Sequence, residues 1–152
     1  MELINYIGLL LLTFLGFIIG LTLPMFKSIK EELKPGKKYF TNFRNIAAAL
    51  VFGFVFYYET TTVHAVIVTI ILLAVFYRLK TLKPTVYYTL FALAIAYSQT
   101  NKELLSVVAS MIFITGLPLG TLQYIDNKKG LVKKTAVVGV AYLVVSLALF
   151  FV

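Results

Sequence analysis

From Leu3 to Met25 the chain carries no charged side chain, and that run decides much of what the rest can become. At helical rise it is long enough to cross the roughly 30 Å hydrocarbon core of a bilayer once. The remaining sequence continues the theme: of 152 residues, 61% are hydrophobic and only 13% charged, against roughly half and a quarter in soluble domains. Such a chain lacks the polar surface to cover a soluble globule. Disorder is excluded as well, because it requires low hydrophobicity with high net charge. No Lys or Arg precedes the first run, so it lacks the basic start of a cleaved signal peptide and is expected to persist as a span.

Six segments approach crossing length: 3–24, 45–58, 63–77, 85–99, 104–122 and 135–152. The expected fold is all-α, a single integral membrane domain over residues 1–152, with six spans arranged as three hairpins; the short third and fourth segments leave open a four-span arrangement with re-entrant pieces. The second span could start as early as Phe40, with the Arg44 stem in apolar surroundings and its guanidinium at the headgroups.

The formal charge of +8 would suggest nucleic acid if it covered a soluble surface. Its placement says otherwise. Lys27, Lys30, Lys34, Lys37, Lys38 and Arg44 follow the first span, Arg78, Lys80 and Lys83 the third, and Lys128, Lys129, Lys133 and Lys134 the fifth. Of 14 cations only Lys102 falls in the alternate set of connections. Cationic loops stay cytoplasmic, so both termini are expected outside, in a multi-pass protein of the cell membrane. No nucleic-acid partner is expected.

The longest polar stretch begins with Phe26, Ile29 and Leu33 on one helical face, predicting a short amphipathic helix on the membrane surface that ends in a turn at Pro35-Gly36. Lys27, Lys30, Lys37, Lys38, Lys128, Lys129, Lys133 and Lys134 then form a rim suited to anionic lipid headgroups. On the other side the turns are short. Thr100-Asn-Lys-Glu103 reads as a capping box, in which the Thr100 hydroxyl accepts from the Glu103 N–H and the carboxylate reaches back. A faint internal likeness links Leu33-Lys34-Pro35 before Tyr39-Phe40-Thr41 with Leu82-Lys83-Pro84 before Tyr87-Tyr88-Thr89.

Gly16 and Gly20 lie on one face of the first span at the spacing that lets helices approach closely, and Ala49/Gly53, Ala92/Ala96 and Ser106/Ser110 repeat it. The Gly20–Pro24 and Gly116–Pro118–Gly120 groups can kink or break their helices. Broken helices expose carbonyls that transporters use for binding, which makes Gly20, Pro24, Gly116, Pro118 and Gly120 the candidate substrate-binding residues.

Catalytic signals are sparse. Cysteine is absent and His64 is the single histidine, so no metal site and no cofactor is expected. Glu59, His64, Gln99, Asn101 and Glu103 could meet at the outer face, without forming a recognisable catalytic set. The expected function is that of a non-catalytic membrane subunit, assembly or accessory factor acting through helix–helix and anionic-lipid contacts, within a homo-oligomer or a membrane complex. The competing readings are a small oligomeric channel or transporter with its site at the Gly/Pro breaks, and a lipid-modifying enzyme.

Overall fold

The computed structural model describes residues 3–79, 82–126 and 130–151, with side chains throughout except at 27–34 and 59. These residues form six α-helices and no strand, 92% helical. They are α1 (Leu3–Thr22), α2 (Lys27–Glu59), α3 (Thr62–Arg78), α4 (Pro84–Ser98), α5 (Lys102–Asp126) and α6 (Leu131–Phe150), with a 3-10 turn Leu23–Met25 after α1. Four stretches within this order, Leu3–Met25, Pro35–Tyr58, Lys102–Asp126 and Leu131–Phe150, are long and apolar enough to cross a membrane. The helix α3 is apolar but shorter.

The most buried of the long helices is α5, and α1, α2 and α4 pack against it. On the flanks α3 packs on α2, and α6 on α4. The pairs expected as hairpins, α1 with α2, α3 with α4 and α5 with α6, are not the ones that pack along their lengths. Glycine chemistry explains the exchange. A Cβ at Gly16 would lie 2.1 Å from Phe113 O, at Gly20 2.2 Å from Leu117 O, and at Gly120 2.2 Å from Phe17 O. The two backbones therefore touch where only hydrogen fits between them, and α1 is drawn to a helix a hundred residues away rather than to its neighbour.

Behind this crossing the core is aromatic. Tyr88 sits edge-on to Phe14, Phe17, Phe91 and Tyr142, with centroids 5.1–5.6 Å apart, the arrangement ring quadrupoles favour. Thr13 and Tyr142 share a hydroxyl hydrogen bond of 2.7 Å, and the Tyr6 hydroxyl donates to Ser146 O. These bonds run α6 antiparallel to α1.

Two local expectations are corrected. Pro35 does not end a surface helix: α2 runs unbroken from Lys27 to Glu59, about 50 Å at helical rise. Proline removes one donor, and Lys, Glu and Leu before it are strong helix formers, so the helix carries the defect. The likeness between residues 33–41 and 82–89 consequently ends at the backbone, since Lys83 caps α4 with Pro84 in its first turn while Pro35 lies inside a helix.

The cap of α5 is Asn101, not Thr100. Its Oδ1 accepts from the N–H groups of Glu103 (3.0 Å) and Leu104 (3.1 Å), the second and third residues of the helix. Asparagine and threonine both cap well, and the helix begins one residue later than the capping box requires. Asn101→Ala should lower stability by about 1 kcal/mol and Thr100→Ala by a few tenths, a difference that denaturant unfolding would resolve.

Candidate functional site: a basic pocket at one end of the bundle

Asn45 is the joint of this site. Its Oδ1 accepts from Nε and Nη2 of Arg44 (3.0 and 2.9 Å) and from the Tyr87 hydroxyl (3.0 Å). Its Nδ2 donates to Phe76 O (3.2 Å), a carbonyl in the last turn of α3, where intrahelical partners run out. One amide thus ties α2 to α3 and α4. Tyr87 completes the fit, with its ring centroid 5.0 Å from the Arg44 Cζ, within cation–π range.

Arg44 is only 6% exposed. Among the described residues no carboxylate lies within 4.0 Å of its nitrogens, the single ion pair there being Lys37–Asp126, which links α2 to the end of α5. The guanidinium is therefore held by a neutral amide and a ring face, with no carboxylate in contact and only the longer-range attraction of Asp126, which already pairs with Lys37. Beside it opens a cavity of about 290 Å³, lined by Lys37, Thr41 and Arg44 of α2, Lys83 and Pro84 at the start of α4, Gln123 and Asp126 of α5, and by Leu82, Leu119 and Leu122. Three cations face one carboxylate across it. Gln123 is 6% exposed and its Nε2 has no hydrogen-bond partner. Because Lys37, Lys83 and Asp126 share this cavity, α2's N-terminal half, the α3–α4 connection and the end of α5 lie at one end of the bundle.

The residues expected to bind substrate lie elsewhere. Gly20, Gly116 and Gly120 are occupied face to face by the opposing backbone, together with Gly16. Pro24 and Pro118 are buried, and α5 continues through Pro118. The carbonyl that Pro24 leaves without its helical donor is that of Gly20, and it accepts from the Thr121 hydroxyl of α5 at 3.0 Å.

Of the expected headgroup contacts, Lys37 lines the pocket and Lys38, Lys133 and Lys134 are exposed. Lys27 and Lys30 lie in the first turn of α2, where side chains are not described, and Lys128 and Lys129 lie outside the described residues. At the far end His64 shares a 2.6 Å hydrogen bond with the Thr61 hydroxyl, Asn101 is engaged as a cap, and the Glu59 side chain lies outside the described set. Among the described residues no group of three or more His, Cys, Asp or Glu could hold a metal ion.

Sequence reading missed Asn45, Tyr87, Gln123 and Asp126 as neighbours of Arg44. The one local signal was the Arg44-Asn45 pair itself, two strongly polar residues at the start of an apolar run. Comparison with known proteins finds no family, no curated protein and no solved structure that matches this chain.

Proposed function

We propose that the protein is an integral membrane component that works by contact rather than by catalysis. Six helices cross the bilayer with both termini outside, and the basic end rests on anionic headgroups at the cytoplasmic face. The observation that carries this reading is the division of its surface. Large apolar side chains such as Leu11, Leu12, Leu15, Ile67, Ile70, Ile71 and Val144 face outward along the helices, a surface that water does not tolerate and lipid does. Lys37, Lys38 and Lys83 gather at one end, while aromatic rings and paired glycines fill the interior. The length of α2 supports the same placement, because its lysine-bearing part extends beyond what a bilayer can hold and must enter water.

The chain contains no cysteine, so single cysteines report sidedness without background. Cysteines placed at Lys38, Lys83 and Lys133 should react with an impermeant thiol reagent only after cells are opened, and those at Thr61 and Asn101 in intact cells. Labelling of Lys38 and Thr61 positions from the same side would overturn the crossing. In vesicles, adding phosphatidylglycerol to phosphatidylcholine should raise thermal stability. Lys38→Gln with Lys133→Gln should remove about 1 kcal/mol of that gain per charge; no dependence on lipid charge would refute the contact.

A further inference from the structure

We infer that the pocket between α2, the start of α4 and the end of α5 is a receptor for one phosphate group. Arg44 is the central observation. A guanidinium this buried ordinarily meets a carboxylate, because a charge removed from water needs a counter-charge as well as hydrogen bonds. Here Nε and Nη2 both spend their bonds on the neutral Asn45 oxygen, while the side chain lines an open cavity. An anion entering that cavity supplies the contacting counter-charge that Asp126, engaged by Lys37, does not.

The rest of the lining fits an oxyanion with several acceptor oxygens. Lys83 and Lys37 add ammonium donors, and Thr41 a hydroxyl. Gln123, nine-tenths buried on the α5 wall, has an amide nitrogen with no partner in the protein. The pocket also lies where α4 begins, and the dipole of a helix start favours negative charge, although Pro84 has no N–H to offer and Val86 N–H is bonded to Lys83 O. Asp126 is the opposing group; it is in contact with Lys37 and attracts Arg44 only at longer range, so one carboxylate faces three cations. A planar guanidinium beside ammonium groups is the donor set that recognises phosphate.

Depth agrees with either of two sources. Along α2 the distance from Lys37, at the pocket, to Glu59 is about 33 Å at helical rise, close to the thickness of the hydrocarbon core. Under the crossing proposed above, the pocket's mouth at Lys37 then lies at the headgroups with Arg44 about 10 Å deeper, yet it remains open to a soluble phosphate from the aqueous side. Phosphate recognition itself does not rest on that crossing, since the pocket is a property of the fold in any solvent that preserves it.

The test uses the full chain in a neutral detergent. Thermal stability is followed while inorganic phosphate, or short-chain phosphatidic acid, is titrated at constant ionic strength against potassium chloride. At least one probe should raise the melting temperature saturably. Phosphatidic acid alone assigns the site to a lipid headgroup, inorganic phosphate alone to a free ion, and both to the phosphate group from either source. Arg44→Gln and Gln123→Leu should each weaken binding by about tenfold, the effect of losing one hydrogen bond to a charged group. Gln123→Leu keeps the question answerable if Arg44→Gln fails to fold. Lys102→Gln, an exposed cation at the opposite end of α5 from Asp126, should leave affinity within about twofold, as expected for a distant surface charge. No saturable shift with either probe, or equal weakening by Lys102→Gln, overturns the site. A failure here with sidedness and lipid dependence intact would remove the pocket and leave the membrane reading standing.

Discussion

Replacing Gly120 by alanine is expected to destabilise the protein by about 3 kcal/mol, the upper part of the range for overpacking a tight interior. The added methyl would lie 2.2 Å from Phe17 O and 2.7 Å from Leu21 N. These are backbone atoms, so no side chain can rotate away and α1 must separate from α5. Gly16→Ala and Gly20→Ala meet the carbonyls of Phe113 and Leu117 in the same way and should cost as much. Gly8 is the internal control. It lies on the same helix with nothing within 4 Å of a Cβ, so Gly8→Ala should stabilise by about 0.5–1 kcal/mol through helix propensity alone. Unfolding in a graded denaturing detergent, followed by circular dichroism, separates the two classes. A Gly120→Ala protein as stable as Gly8→Ala would mean that α1 and α5 do not cross at these residues.

The same crossing shows what the sequence could and could not reveal. The Gly16/Gly20 spacing was legible as a close-approach face, because the helical repeat is local information, whereas Gly116 and Gly120, with Pro118 between them, read as a helix break. The partnership of the two was not legible, since no short-range pattern says that one face meets another a hundred residues away. Pro35 misled for a related reason. A proline's power to end a helix depends on the helix formers around it and on whether water can satisfy the freed carbonyl, and both favoured continuation in the polar part of α2. The α5 cap was displaced by one residue because Thr100 and Asn101 are both good caps, and local sequence does not decide which takes the position. Arg44 was legible as a boundary charge but not as a buried one. Its burial depends on Asn45 and Tyr87, whose meeting is set by how α2, α3 and α4 pack.

Asn45→Leu is expected to have the second large effect, about 3–5 kcal/mol, the range for stripping the partner from a buried charge. Leucine is close in size, so the loss would not come from a cavity. It comes from Arg44 Nε and Nη2, the Tyr87 hydroxyl and Phe76 O losing their shared partner at once. Tyr87→Phe, which removes one donor and leaves the Arg44 bonds in place, should cost only about 1 kcal/mol. The decisive comparison is Arg44→Met combined with Asn45→Leu. Replacing a buried polar pair by apolar groups of similar volume is often close to neutral, so the double variant should regain most of the stability lost by Asn45→Leu, a coupling that a double-mutant cycle measures directly. It should also lose the response to phosphate despite being folded. A double variant no more stable than Asn45→Leu would show that the asparagine acts by holding α2, α3 and α4 together, and not by neutralising the cost of a buried guanidinium.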